Sequence, residues 1–264
     1  MKSSDLQAGT LQHWIEEQAE RFRSIEEVDL RPLMERIGGA RIVLIGEASH
    51  GTSEFYRMRQ CITAELIRQK GFRRIGIEGD WPDVEQLDEF VRGREPKPNR
   101  VRDAFCRFPD WMWRNQEVLE FVDWLEGDNR DCPDASDRVG IHGLDLYSLY
   151  SSIHEVMEFL ERQGDLEALE AARDRYANLL AYEPDPQAYG QAVELGLNPK
   201  QESEVLAMLN DLFKRRLDAA NREREVVFDA EQNARVAANA EEYYRSMFRR
   251  GNKSWNLRDS HMFE

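Results

Sequence analysis

The chain has 264 residues, 41% of them hydrophobic, which is enough apolar material for a full core and excludes a disordered chain. Lys and Arg total 36 against 51 Asp and Glu, and the resulting net charge of −15 repels nucleic-acid phosphates. The longest apolar run falls far short of the roughly 18–20 residues of a membrane span, the N-terminal MKSSDLQAGT has no apolar segment, and Cys61, Cys106 and Cys132 lack disulfide or metal spacing, so a cytoplasmic protein with neither nucleic-acid nor membrane partner is expected.

Leu11, Trp14 and Ile15, and then Leu30, Leu33, Met34 and Ile37, recur at helical spacing and predict two short amphipathic helices, the second ending at Gly38-Gly39. Residues 41–46 (RIVLIG) form a compact β-branched run that predicts a strand buried on both faces, with Glu47 at its C-terminal end. Phe55, Met58, Ile62, Leu66 and Ile67 predict a helix stopping at Gly71, and Arg74–Ile77 predicts a second strand that ends at Glu78. A third strand is expected at 138–144, followed at once by Asp145. Helices are expected at 84–91 and 115–125, with a solvated loop at 92–99.

A strand-helix-strand crossover joins parallel neighbours, and the ligand crevice of an open parallel sheet lies beyond the carboxyl ends of its strands. Glu47, Glu78 and Asp145 are therefore expected to converge on one edge. After Asp145 strand signals stop: helices are expected at 152–163 and 165–182, a breaker at 183–186, and one or two long helices across 201–248. The fold class expected is α/β, a mostly parallel sheet flanked by helices and followed by a long-helix subdomain. The expected domains are 1–150 as the α/β core, 151–250 as a helical subdomain or arm, and 251–264 returning toward the core.

The densest chemical signal is Gly46-Glu-Ala-Ser-His-Gly-Thr52, a carboxylate, a hydroxyl and an imidazole between two glycines at a strand-to-helix turn. His50 has the one side chain there that titrates near neutrality, so it can serve as a general base or merely cap the next helix. Glu78 can orient such a ring or stand as a solvated strand-end acid, and Asp145 can line the cleft or start a helix. Trp113, in Phe108-Pro-Asp-Trp-Met-Trp-Arg114, can wall an apolar pocket or pack in the core. Arg258, in Trp255-Asn-Leu-Arg-Asp259, can stabilise developing negative charge or pair locally with Asp259. Glu47, His50 and Glu78 also have the chemistry of divalent-ion ligands, although no H-E-x-x-H, G-x-S-x-G, Walker or dinucleotide motif is present. His142 falls in a strand pattern, while His154 and His13 fall in helices, where packed or surface positions are expected.

The Gly46–Thr52 motif, Ile77-Glu-Gly-Asp-Trp81, Trp111-Met-Trp-Arg114, Gly143-Leu-Asp-Leu-Tyr147 and Asn256-Leu-Arg-Asp259 stand in the order in which the erythromycin esterase family carries similar motifs. On these five matches the chain resembles that family over most of residues 40–150 and the last dozen. The resemblance implies hydrolysis of an ester or macrolactone by base-assisted attack of water, with His50 as base, Glu47 and Glu78 in the same cleft, and Arg258 as a member of the site. Together with the residue reading, the expected catalytic residues are His50, Glu47 and Glu78. Arg258, Asp145 and Trp113 are the expected substrate-binding residues, the partner is a small-molecule ester, and no cofactor or metal is assigned. Family members continue beyond the Asn-x-Arg-Asp motif with further strands and a second site histidine, so the resemblance also implies a chain that lacks that C-terminal part. Two alternatives stand beside this one: a degenerate small-molecule-binding protein, and a metal-dependent hydrolase of another substrate using Glu47, His50 and Glu78 as ligands.

Overall fold

Residues 3–46, 48–94, 104–105, 110–218, 224–249 and 251–264 are described in a computed structural model of the protein. Internal contacts divide it into two compact units, Met1–Phe72 and Arg73–Glu264.

The first unit is helical. It contains α1 (Ser3–Gln18), α2 (Arg31–Ile37) and α3 (Ser53–Lys70). α3 buries Tyr56, Leu66 and Ile67 and ends at Gly71, whose φ of 72° is the left-handed cap that glycine adopts without strain. The strand expected at 41–46 is not formed: these residues belong to no strand, and Ile42 and Leu44 are 78% and 92% exposed. A β-branched run becomes a strand only where a neighbouring backbone completes its hydrogen-bond ladder, and sequence pattern carries no information about that partner.

The second unit is built on two parallel strands, β1 (Arg74–Asp80) and β2 (Gly140–Asp145). Their register runs from Arg74 opposite Gly140 to Ile77 opposite Gly143, then shifts so that Asp80 stands opposite Asp145. Thus β1 takes three steps where β2 takes two, an extra residue at Glu78-Gly79 of the kind that bends a strand and re-aims a side chain. The crossover runs through α4 (Trp81–Val91), α5 (Asp110–Trp113) and α6 (Gln116–Arg130). α4 begins with Pro82 in its first turn, where the missing N–H costs nothing. It lies on β2, with Asp88 Oδ1 accepting from the Ile141 N–H at 2.9 Å. Asn129 of α6 donates to the carbonyls of Val91 and Val139 at 2.8 and 2.9 Å and accepts from Val139 N–H at 2.7 Å, pinning the entry to β2.

After β2 come α7 (Leu149–Arg162), α8 (Leu166–Leu180), α9 (Pro186–Glu194), α10 (Glu202–Asp218), α11 (Arg224–Ser246) and α12 (Lys253–Phe263). These helices share one compact unit with the strands. α7 places Leu149, Ile153, Val156 and Leu160 on one buried stripe, and α11 contributes Ala234, Ala237 and Ala240, small enough for neighbouring helices to approach closely. At Gly190 of α9 an added Cβ would stand 2.2 Å from the Tyr244 carbonyl oxygen of α11, so a glycine is required at that crossing.

The contact of α4 with α11 also buries charge. Arg92 pairs with Asp88 at 3.3 Å and with Glu225, and Arg94 reaches the same Glu225 at 2.5 Å. Burial, reinforced by the charge of Asp229, pushes the Glu85 carboxyl up to about 8. Burial and then the charge of Asp88 push Asp229 up to about 7. Asn233 donates to Glu85 at 3.4 Å, and its own side-chain oxygen is buried without a hydrogen-bond partner. No helix among the described residues is long and apolar enough to cross a membrane.

Candidate active site

The carboxyl ends of β1 and β2 carry Glu78 and Asp145, as the parallel-sheet argument requires, and Arg258 of α12 bridges them. Its Nε donates to Asp145 Oδ1 at 2.8 Å, and its Nη2 donates to Asp145 Oδ2 at 2.6 Å and to Glu78 Oε1 at 2.5 Å. The Asp145 carboxylate also accepts the Leu146 N–H at 2.8 Å, which orients it from its own chain. Exposure falls from Glu78 (36%) to Arg258 (11%) to Asp145 (4%), so Glu78 is the end of the triad that meets solvent. Burial works against the Arg258 charge, but the bonds to Asp145 and Glu78 outweigh it and raise the guanidinium pKa above its ordinary value. The cation is therefore permanent, and it supplies the positive charge between two carboxylates.

The surroundings fix this geometry. The Trp113 indole N–H donates to the Glu78 carbonyl oxygen at 2.6 Å, and the ring is buried. Trp113 thus holds the backbone of the extra residue in β1. Tyr147 lies with its ring 5.3 Å from the Arg258 guanidinium carbon, a cation–π distance. Its N–H donates to Asp80 Oδ1 at 2.7 Å, and its carbonyl accepts from the Tyr244 hydroxyl at 3.0 Å. Burial pushes the Tyr147 phenol well above the ordinary tyrosine value, so it is a neutral donor at any physiological pH.

The structure brings together Glu78, Asp145, Arg258 and Trp113. His50 belongs to the first unit, in the turn before α3, and is exposed. Glu47 lies outside the described residues, as do Cys106, Phe108 and Pro109. His142 is largely buried with its ring stacked on Trp81 at 5.7 Å, and desolvation lowers its pKa, a packed role. His154 pairs with Glu183 at 3.2 Å, and His13 with Glu17 at 3.4 Å. Sequence reading quoted Asp80 and Tyr147 within motifs but gave neither a role. His261, close behind the Asn-x-Arg-Asp motif, was given no role from sequence; its signal is its spacing of three from Arg258, a same-face spacing on a helix.

A polar cluster at the carboxyl ends of parallel strands marks an α/β protein with a candidate site where such folds bind ligands. The chain belongs to the erythromycin esterase family, whose family model matches residues 67–264. It is 26% identical over 196 residues to the erythromycin esterase type II of Escherichia coli, an alignment that covers 72% of this chain and 44% of that protein. Among solved structures it is similar to a Bacillus cereus protein with a TM-score of 0.76 and 19% identity, covering 97% of this chain and 61% of the other. It is also similar, with a TM-score of 0.64 and 17% identity, to a histidine-to-asparagine mutant of the erythromycin esterase EreC in its open conformation, covering 90% of this chain and 60% of that one. The chain thus spans under half the length of the curated esterase and about three fifths of the solved structures.

Proposed function

We propose that the protein is an erythromycin esterase-like hydrolase in which water attacks an ester or macrolactone carbonyl, with His50 as general base and Glu47 and Glu78 as the acids that serve it. The observation that carries this reading is the Glu78–Arg258–Asp145 bridge at the strand ends, in a chain of this family. A general base must accept a proton as water attacks, and an imidazole is the side chain most often used for it. The solvent-facing end of Glu78 suits it to hold the water or the protonated base. Arg258, anchored by Asp145, keeps a fixed positive charge that can stabilise the oxyanion formed as water adds. His50 enters this reading through its motif, and Trp113 acts by holding the Glu78 backbone at the substrate's edge.

The test is hydrolysis of a panel of macrolides and simple aryl esters by the purified protein and its His50→Ala and Glu78→Gln variants. Cleavage that disappears in both variants with unchanged melting supports the assignment. Binding of a macrolide without turnover in the wild type favours the degenerate binding protein instead. Cleavage that persists in His50→Ala removes His50 as the base.

A further inference from the structure

We propose that His261, held by Asn239, is the positioning residue that pins α12 to α11 and so holds Arg258 between Glu78 and Asp145; the catalytic consequence, though not the docking itself, rests on the function proposed above. α12 has no buried residue in its eleven positions, and its N-cap Asn252 makes no side-chain capping bond. Trp255 and Phe263 are 56% and 92% exposed. A fully buried apolar stripe, the usual device for seating a helix, is therefore missing, Leu257 and Met262 being only half-buried, and polar bonds carry a larger share of the seat. The ion pairs Lys253–Glu242 at 3.1 Å and Arg235–Glu264 at 3.8 Å are solvated at their outer ends and add little. Among the described residues, the polar contacts that remain are those of Arg258 and His261, three residues apart on one face.

His261 is well placed for that work. Asn239 of α11 donates from Nδ2 to His261 Nδ1 at 2.7 Å, a bond that ties α12 to α11. Because an amide N–H can only donate, Nδ1 is the lone-pair nitrogen of this bond, and a neutral ring carries its proton on Nε2. His261 thus ties α12 to α11 while Arg258, three residues earlier on the same helix, grips the Asp145 side chain. Desolvation holds the imidazole below its ordinary pKa, with the charges of Asp145 and Glu264 opposing and that of Arg235 assisting. A protonated ring would turn Nδ1–H against the Asn239 N–H and lose the clamp.

The experiment is nitrogen NMR of the full chain, reading the His261 ring nitrogens and the Arg258 Nε–H, beside ester hydrolysis. The wild type is expected to show a neutral Nε2–H tautomer at pH 7 and a slowly exchanging Arg258 Nε–H shifted by its bond to Asp145. In His261→Phe that Arg258 signal should move to the position of a free arginine, with kcat falling roughly ten- to a hundredfold and KM changing less, while His261→Gln restores part of both. Asn239→Asp, which accepts rather than donates, should switch the ring to the Nδ1–H tautomer and loosen Arg258 in the same spectrum; this variant decides if His261→Phe does not fold. An Nδ1–H tautomer in the wild type, or an Arg258 signal unmoved in the variants, overturns the proposal. Hydrolysis with an unmoved Arg258 signal leaves the esterase reading standing alone. A moved signal with no hydrolysis leaves the docking role standing alone.

Discussion

Arg258 and Asp145 are 113 positions apart in the chain, yet they are joined by two near-parallel hydrogen bonds, Nε to Oδ1 at 2.8 Å and Nη2 to Oδ2 at 2.6 Å. Such a fork uses the planar geometry of the guanidinium and fixes direction as well as distance. It closes the unit by tying the last helix to the end of β2. It also turns a carboxylate that is almost wholly buried into the anchor of a cation whose remaining bond reaches Glu78.

Removing the cation should therefore cost more than a surface pair would. Arg258→Ala leaves Asp145 as a buried carboxylate without its counter-charge, which typically costs about 3 kcal/mol or more and should lower the melting temperature of the second unit by roughly 6–12 °C. Arg258→Lys should recover only part of this, since an ammonium is a point charge and cannot reproduce the fork. Calorimetry of the two variants beside the wild type checks the order, and equal melting of all three would show that the fork carries no stability.

The two acids should separate stability from activity. Glu78 is partly solvated and holds Arg258 from one oxygen, so Glu78→Gln should cost about 1 kcal/mol or less in stability. In the proposed reaction the same change should lower kcat/KM by about a hundredfold or more, since it removes the acid that serves the base. Asp145→Asn should do the reverse in proportion, costing melting temperature first and activity only through Arg258. Thermal melts paired with initial rates on one ester substrate distinguish the two patterns.

Much of this site was legible because its elements follow local rules. Glu78 and Asp145 each end an apolar run, and parallel strands force such ends onto one edge. The long helices α10 and α11 followed from the near absence of Gly and Pro between Gln201 and Phe248. Arg258 came from its motif, because no periodicity links a residue to a strand 113 positions earlier. The run Ile42–Leu44 misled because the pattern of a buried strand is written in one segment and its hydrogen-bond partners in another. Trp113 was ambiguous for a related reason: an aromatic that fills a core and one that grips a site look alike until the recipient of the indole N–H is known. The buried charges of α4 and α11 left no trace in the sequence, since Glu85 and Asp229 read singly as ordinary solvated acids.

Those buried acids predict an unusual pH dependence. Glu85 and Asp229 titrate near 8 and 7 in the folded protein, against ordinary values of 4.5 and 3.8, because burial disfavours their charged forms. The folded state then holds more protons than the unfolded state from about pH 4 to pH 8, so their contribution to stability falls as pH rises through that window and levels off above it. Glu85→Gln keeps a neutral group in place and should raise stability at pH 8 by about 2 kcal/mol, or roughly 4–8 °C, with little effect at pH 4. Urea denaturation across that range checks the slope; a wild type that gains stability between pH 5 and 8 while Glu85→Gln changes nothing would mean that the pair is not buried as described.

Gly143 tests whether the extra residue in β1 positions the site. An added Cβ at Gly143 would stand 2.5 Å from the Gly79 carbonyl oxygen and 2.6 Å from the Asp80 backbone, closer than real Cβ contacts. The obstacle is backbone, which cannot rotate away as a side chain can. Gly143→Ala must therefore push β1 off β2 at the very residues that carry Glu78 and receive the Trp113 N–H. The expected result is destabilisation of about 2–3 kcal/mol with loss of the Glu78–Arg258 bond. At Gly127, where an added Cβ meets nothing within 4 Å, the same Gly→Ala change within the last turn of α6 should instead stabilise by about 0.5–1 kcal/mol. Melting of Gly143→Ala and Gly127→Ala side by side isolates the steric effect from the backbone entropy that both substitutions share. Similar melting shifts in the two variants would show that the strands can part without disturbing the site.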